Sequence, residues 1–226
     1  MSSASDQMLI QISGAHYFLL RRLHSLTGIV FAGYLALHLL INATIVEGGA
    51  PGREVYQVQV NKIHDLPFLR LIEWALIFAP ILYHAIHGIW ITLSGQPNTL
   101  SYPFGRNWLY LMQRVSAVIV LLFVVFHVLA LKYGAFGTGL AFEPQQAMRS
   151  IVRHMAANRF VAWVVYPLGI LAACFHAANG IWAAGITWGL TTSAGAQRRW
   201  GIIAAAIFAL LLAAGMTALI GALRAG

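Results

Sequence analysis

Apolar residues gather in five long runs along the chain, and shorter polar connections separate the runs. The runs cover residues 24–46, 68–94, 108–131, 160–187 and 200–223. An α-helix rises about 1.5 Å per residue, so about 20 apolar residues cross the ~30 Å hydrocarbon core of a bilayer. The pattern therefore predicts an all-α integral membrane bundle of five transmembrane helices, which forms one domain over residues 1–226.

Composition excludes a soluble globular protein. Of the 226 residues, 60% are hydrophobic and 9% are charged, and the mean hydropathy is +0.75. The first run follows Arg21 and Arg22, as the apolar part of a signal peptide would. However, it is too long for that role and no small-residue cleavage site follows it. We therefore expect it to be the first spanning helix.

The net charge of +8 does not indicate nucleic-acid binding, because the basic residues are scattered over helix ends and connections. They form no block with interleaved aromatic residues. Such residues are expected to contact anionic lipid headgroups. Lys and Arg are divided almost evenly between the two sides of the bundle, so the positive-inside rule does not set its orientation.

The longest connections, residues 47–67 and 132–159, lie on the same side of the predicted bundle. The first could form a short interfacial helix. The second carries a basic cluster that is expected to lie against headgroups, with its histidine solvated: Arg149, Arg153, His154 and Arg159. The fifth apolar run is rich in small residues and is expected to pack closely against the other helices.

One octet pattern occurs twice inside the apolar runs. Residues 83–90 read YHAIHGIW and residues 175–182 read FHAANGIW, and each octet places a histidine four residues before a glycine. The two octet histidines are 92 residues apart, and a further pair, His38 and His127, is 89 residues apart. The spacing predicts that helices 1–2 and helices 3–4 form a pseudo-twofold repeat about an axis along the membrane normal.

Four of the predicted spans thus carry a histidine, namely His38, His84, His127 and His176. An ionisable side chain inside the bilayer is costly and marks a functional site by default. Neighbouring spans run in opposite directions, so His38 and His127 lie near the side of the membrane where their helices end. His84 and His176 lie deeper. The sequence therefore predicts two pairs of histidines at two levels.

Two facing imidazoles at one level are what bis-histidine ligation of a b-type haem requires. A zinc or di-iron site would instead need three or four ligands at one point, with carboxylates for iron. Glu73 is the only acidic residue well inside a predicted span. The lone Cys174 excludes an iron–sulfur cluster ligated by cysteines of this chain alone. We therefore expect one haem b at each histidine pair.

Residues next to the octet histidines suggest how a haem would be accommodated. Gly88 and Gly180 lie four residues after them, where they would let a macrocycle approach the backbone or let helices pack closely. His87 lies close to His84 and could compete as a ligand. Its equivalent in the second octet is Asn179, which cannot replace an imidazole on iron. We expect His87 to bind a haem propionate or water.

Haem propionates are anionic and need cationic partners near the helix ends. The candidates are Arg22, His24 and Arg114. Anchoring to lipid phosphate is an alternative role for each of them. Pro80 and Pro167 each remove a backbone hydrogen bond and are candidates for bending the second and fourth helices.

Several segments resemble the dihaem cytochrome b membrane anchors of succinate dehydrogenases and fumarate reductases. They are RRLHSLTG (21–28), HLLIN (38–42), LPF (66–68), YHAIHG (83–88), RNWLYLMQRVSA (106–117), FHV (126–128) and FHAANGIW with TWG (175–189). The resemblance covers nearly the whole chain. It implies a five-helix anchor in the cytoplasmic (inner) membrane of a bacterium, with a cytoplasmic N-terminus. Its implied partners are a flavoprotein subunit and an iron–sulfur subunit.

The resemblance also implies a role for each pair. The His84/His176 pair would bind the proximal haem, near the iron–sulfur subunit, and the His38/His127 pair would bind the distal haem. Electrons would pass through both haems to menaquinone, as in a succinate:menaquinone oxidoreductase, and this chain would contain no dicarboxylate site. Some fumarate reductases carry a glutamate near the last ligand, where this chain has Cys174. The proton route proposed for that glutamate is therefore not implied here.

Polar residues near the distal face are candidates for binding the quinone: Asn42, His64, Asp65 and Glu73. A quinone headgroup needs a hydrogen-bond donor and a proton source, although salt bridges and helix caps are alternative roles for these residues. Two other functions fit the same pattern. One is a cytochrome b subunit of a hydrogenase or formate dehydrogenase, and the other is a haem-free anchor or transporter half. The sequence leaves open whether succinate is oxidised or fumarate is reduced.

Overall fold

The computed structural model describes residues 4–47, 50–95, 98–137 and 141–225, and the regular structure of these residues is helical. Short 3₁₀ turns follow the first helix (Thr44–Glu47) and precede the fifth (Pro144–Gln146). In chain order the helices are α1 (Ala4–Ala43), α2 (Ala50–His64), α3 (Leu69–Ser94), α4 (Gly105–Tyr133), α5 (Ala147–Ala157), α6 (Val161–Thr187) and α7 (Ala194–Arg224).

Five helices in the described ranges are long and apolar enough to cross a membrane: α1 from His16 onward, α3, α4, α6 and α7. Large apolar side chains point outward from them, as lipid-facing residues do, and Leu122 and Leu210 are 66% and 71% exposed. The predicted all-α bundle of five transmembrane helices is confirmed. Some helices are longer than their apolar runs, because polar ends continue the helix. For example, α7 begins at Ala194, where the Ser193 hydroxyl accepts the Ala196 N–H at 3.2 Å.

Each of the two prolines considered above follows a π-helical turn. Trp74–Phe78 precedes Pro80 in α3, and Val161–Val165 precedes Pro167 in α6. A proline has no N–H for the carbonyl one turn earlier, and its ring clashes with that carbonyl. The wider π turn takes up this mismatch. The prolines therefore change the hydrogen-bond register within α3 and α6 without ending either helix.

The central helix is α6. Half of its most apolar stretch is buried by the other helices, compared with 6% of the corresponding stretches of α1 and α3. α7 packs against α6 through small residues, and a Cβ added to Gly215 would lie 2.6 Å from Cγ2 of Ile170. The close packing expected for the fifth span is therefore present.

The helices α2 and α5 lie in the two longest connections and pack together. The Gln57 side chain joins them, since its Nε2 donates to the Pro144 carbonyl at 2.6 Å and its Oε1 accepts the Ala147 N–H at 2.9 Å. Both helices also contribute to the buried apolar core, through Tyr56, Val60, Ile151 and Met155. The two connections are therefore on the same side of the bundle, and the first forms the short helix that the sequence suggested.

Candidate functional site

An apolar cavity of about 950 Å³ lies between the spanning helices. Its volume is at the upper end of the range of about 300–1,000 Å³ that is common for ligand and cofactor sites. The walls come from α1, α3, α4 and α6, and α7 and α5 add further lining, the latter through Ile151 and Met155. All four of the histidines that the sequence singled out line this cavity: His38, His84, His127 and His176.

The four rings form two pairs. The ring centres of His84 and His176 are 6.1 Å apart with planes at 90°, and those of His38 and His127 are 6.0 Å apart with planes at 89°. Two imidazole nitrogens that bind one metal ion from opposite sides, each at about 2 Å, hold their ring centres about 6 Å apart. Both pairs therefore fit bis-histidine ligation. Within the described residues, no three His, Cys, Asp or Glu side chains are placed to hold one metal ion.

The octet histidines are oriented by main-chain carbonyls. The Nδ1 of His84 lies 3.0 Å from the His24 carbonyl, and the Nδ1 of His176 lies 3.2 Å from the Gln113 carbonyl. A carbonyl can only accept, so in each ring Nδ1 carries the proton and Nε2 keeps its lone pair for a metal. The Ser116 hydroxyl lies a further 3.3 Å from the His176 Nδ1.

A glycine on α1 makes room for His84. A Cβ added to Gly28 would lie 2.7 Å from Cε1 and 3.0 Å from Nδ1 of His84, so a side chain there would displace the ring. The sequence prediction did not include Gly28 among the site residues. A signal was available, because Gly28 lies one turn after His24, whose carbonyl holds the same imidazole.

The two octet glycines lie against the preceding spanning helices, as the packing role predicted for them requires. A Cβ on Gly88 would lie 3.3 Å from Cε1 of His24, and a Cβ on Gly180 would lie 3.6 Å from Nε2 of Gln113. Both glycines line the cavity, but each also faces a side chain of the preceding spanning helix. Their role towards a macrocycle therefore stays a prediction.

His127 is held by a side chain. Its Nδ1 lies 3.2 Å from the Tyr166 hydroxyl oxygen, and that oxygen lies 2.8 Å from Nε2 of His154. The expectation that His154 is solvated is wrong, since it is 1% exposed. Ser150, Ile151 and His154 lie on the buried face of α5, whereas the nearby arginines had suggested that this segment lies against headgroups.

His24 and His87 lie together beside His84. The His24 ring stacks on the His84 ring with centres 4.0 Å apart and planes at 10°, and it lines the cavity. The His87 ring centre lies 5.2 Å from that of His24 and stacks on Tyr83 at 5.7 Å. His87 is 8% exposed and lies outside the cavity lining. The geometry therefore favours His84 over His87 as a ligand.

Comparison with known proteins shows the family of this chain. The sequence profile described as the succinate dehydrogenase/fumarate reductase transmembrane subunit matches residues 100–214. The succinate dehydrogenase cytochrome b558 subunit of Bacillus subtilis (strain 168) is 34% identical over 210 residues, which are 92% of this chain and 98% of that relative. The chain belongs to the succinate dehydrogenase/fumarate reductase transmembrane subunit family. It is a membrane cytochrome b subunit of this family, and the resemblance of the sequence motifs is confirmed.

Arginine side chains lie at one end of the cavity of this cytochrome b subunit, but they are not all the arginines that were predicted as propionate partners. Arg114 lines the cavity, whereas Arg22 lies outside the lining, with its guanidinium 4.8 Å from the ring centre of Trp188. Arg21, which the sequence prediction did not include, lines the cavity instead. Helical spacing contained the signal, because Arg21 lies three residues before His24 and so shares its face.

Of the candidate quinone residues, some line the cavity and others do not. Asn42 and Glu73 line the cavity, whereas His64 and Asp65 are exposed and lie outside its lining. The His64 Nδ1 lies 2.9 Å from the Val60 carbonyl, to which it can donate. The structure therefore brings two of the four residues to the space that contains the histidines.

Asn42 is itself held in place by two hydrogen bonds. Its amide nitrogen donates to the His38 carbonyl at 2.7 Å, and its oxygen accepts the Tyr56 hydroxyl at 3.4 Å. Burial raises the pKa of Tyr56 to about 12, so this tyrosine stays protonated and is a donor at any physiological pH. Asn42, the last residue but one of α1, is thereby held in a fixed orientation.

Proposed function

We propose that this cytochrome b subunit binds two b haems, one at the His84/His176 pair and one at the His38/His127 pair. It would pass electrons from a partner iron–sulfur subunit to menaquinone, as part of a succinate:menaquinone oxidoreductase that also contains a flavoprotein subunit. The observation that carries the proposal is the presence of two histidine pairs, with ring centres 6.1 and 6.0 Å apart, in one apolar cavity. When bound, each haem supplies one-electron redox chemistry.

The residues of this chain hold the haems and set their surroundings. The carbonyls of His24 and Gln113 fix the proton on Nδ1 of two ligands, which leaves Nε2 to bind iron. The apolar walls exclude water. Arg21 and Arg114 line the cavity and can pair with the haem propionate carboxylates. In this proposal the whole chain acts as a single transmembrane domain.

The proposed orientation in the membrane and the proposed direction of electron flow follow from the family resemblance. The N-terminus would lie in the cytoplasm of a bacterium, with the chain in the cytoplasmic membrane, and the His84/His176 pair would be nearer the iron–sulfur subunit. Menaquinone would bind near the His38/His127 pair. Of the candidate quinone residues, Asn42 and Glu73 are favoured, because both line the cavity and Asn42 also bonds the His38 carbonyl. The Glu73 carboxyl can supply a proton, and the Asn42 amide can donate a hydrogen bond.

The purified complex tests this proposal. We expect a reduced-minus-oxidised spectrum of b type and about two haems per chain. His84→Ala and His176→Ala should each lose one haem, and His38→Ala and His127→Ala should each lose the other. His16→Ala is the matched control, because His16 is exposed and lies outside the cavity lining, and it should keep both haems.

The alternatives predict different outcomes in the same preparation. A haem-free anchor would give no b-type signal in the reduced-minus-oxidised spectrum. A hydrogenase or formate dehydrogenase subunit would copurify without a flavoprotein of the succinate dehydrogenase type. Unchanged pigment in any of the four cavity variants would overturn the assignment of ligands.

A further inference from the structure

A buried hydrogen-bonded chain connects the cavity to the helix α5. His127 of α4, Tyr166 of α6 and His154 of α5 lie in sequence, with 3.2 Å between Nδ1 of His127 and the tyrosine oxygen and 2.8 Å between that oxygen and Nε2 of His154. Tyr166 and His154 are 6% and 1% exposed, so bulk water does not compete for these groups. Tyr166 was not among the predicted site residues, and His154 was expected to be solvated.

The hydrogen bonds from His127 to His154 have a defined donor-to-acceptor direction if His127 binds iron through Nε2. This condition rests on the proposed function. The Nδ1 of His127 then carries the proton and donates to the tyrosine oxygen. The tyrosine hydroxyl donates in turn to Nε2 of His154. His154 therefore acts as an acceptor at Nε2, and each hydrogen bond reinforces the next.

We infer that Tyr166 and His154 are positioning residues for His127. Their hydrogen bonds make the His127 imidazole a stronger electron donor than it would be without them. A hydroxyl oxygen that donates its own proton to an imidazole becomes a better acceptor. It draws the proton of Nδ1 away from the His127 ring, and the ring becomes more basic. A more basic ligand favours the oxidised iron. The hydrogen bonds through Tyr166 and His154 thus lower the reduction potential of the haem at the His38/His127 pair.

Redox titration of the purified complex tests this inference, with the two haems resolved by their spectra. Tyr166→Phe removes the hydroxyl and keeps the ring that packs in the core. We expect the reduction equilibrium of the His38/His127 haem to shift about tenfold towards the reduced form, which is ~59 mV for a one-electron couple. The His84/His176 haem should change less than about twofold.

A matched control is available in Ser150→Ala. Ser150 is 2% exposed and lies one turn before His154 in α5, and its hydroxyl accepts the Glu143 N–H at 3.0 Å rather than contacting a histidine ring of the cavity. This variant removes a buried hydroxyl from the same helix. It should leave the potentials of both haems within about twofold of wild type.

Substitutions at His154 test the second link without touching the ligand or the tyrosine. His154→Leu leaves the tyrosine hydroxyl without its acceptor, and we expect a shift in the same direction as Tyr166→Phe but smaller, about threefold. His154→Gln places an amide oxygen where the acceptor was, and it should restore the wild-type potential at least in part. A purely structural role for His154 would give no such rescue.

The outcomes separate this inference from the proposed function. Wild-type complex without two haems would overturn the proposed function and the inference together. If wild type contains two haems, equal potentials in Tyr166→Phe, His154→Leu and wild type would overturn the inference alone, and so would an equal shift of both haems. Selective loss of the His38/His127 haem in Tyr166→Phe, with the other haem retained, would support the positioning role.

Discussion

The two histidine pairs have nearly the same internal geometry, but different groups hold them. His84 and His176 face main-chain carbonyls of the preceding spanning helix, at 3.0 and 3.2 Å. His127 faces the hydroxyl of Tyr166 at 3.2 Å. A main-chain carbonyl is present whatever residue occupies the position, so the fold itself sets the tautomer of the first pair. The tautomer of His127 depends on one side chain, and substitution can alter it.

Packing around the two pairs differs in a parallel way. Gly28 lies against the His84 ring, and His24 stacks on the same ring at 4.0 Å. His127 instead adjoins the buried core, through Phe123 and Tyr166. The first pair is therefore sensitive to the size of a neighbour on α1, and the second is sensitive to the polarity of a neighbour on α6. Variants can exploit this difference to separate the two haems.

Double substitutions should give the largest effect. His38→Ala with His127→Ala removes both members of one pair, and we expect one haem per chain, as for either single variant. His84→Ala with His127→Ala removes one member of each pair, and we expect no haem. The haem-to-protein ratio measures this result. One remaining haem in the cross-pair variant would mean that the histidines are paired differently.

Gly28→Ala should weaken the first pair selectively. The added Cβ would lie 2.7 Å from Cε1 of His84, and overpacking of this kind costs about 1–3 kcal/mol. We expect at least a twofold loss of the His84/His176 haem. Gly33→Ala in the same helix is the control, because nothing lies within 4 Å of its added Cβ. Equal haem contents in the two variants would contradict the proposed contact.

Ser116→Ala should have a smaller effect than Tyr166→Phe. The Ser116 hydroxyl lies 3.3 Å from Nδ1 of His176, but the Gln113 carbonyl remains as an acceptor after the substitution. We expect less than about a threefold shift in the reduction equilibrium of the His84/His176 haem, measured by redox titration. A shift as large as that of Tyr166→Phe would mean that the side chain, not the carbonyl, controls this ligand.

His87→Ala should have the smallest effect on haem content. His87 lies outside the cavity lining and contacts His24, Tyr83 and Trp90 rather than the opposite histidine. We expect about two haems per chain, with a small shift in the spectrum of the His84/His176 haem alone. Loss of a haem in this variant, together with retention in His84→Ala, would reverse the assignment of the ligand.

Several features of the site could be predicted from sequence spacing. The 89- and 92-residue separations and the alternation of helix direction led to the pairs that the structure brings together. In both halves, Nδ1 of the octet histidine faces a carbonyl of the preceding helix, His24 in one and Gln113 in the other. These positions are also 89 residues apart. This agreement supports the internal repeat, which stays a prediction.

Other features were not predicted, and the tertiary structure decides them. His154 lies in a polar connection among arginines, where its pattern suggests solvation, yet α5 turns it into the core beside Tyr166. Arg21 and Arg22 are adjacent and chemically alike, and the rotation of α1 decides that Arg21 reaches the cavity. Similarly, His64 and Asp65 lie outside the cavity because α2 ends at His64 with that side chain exposed.

The class of fold and the number of spanning helices follow from the sequence alone, because hydrocarbon thickness and backbone hydrogen bonding leave a long apolar run no other structure. The sequence also assigns one imidazole pair member to each of four spanning helices. Which group faces the second nitrogen of each ring is a property of the tertiary arrangement. That choice depends on helix rotation and on contacts between segments far apart in the chain, which no local pattern encodes.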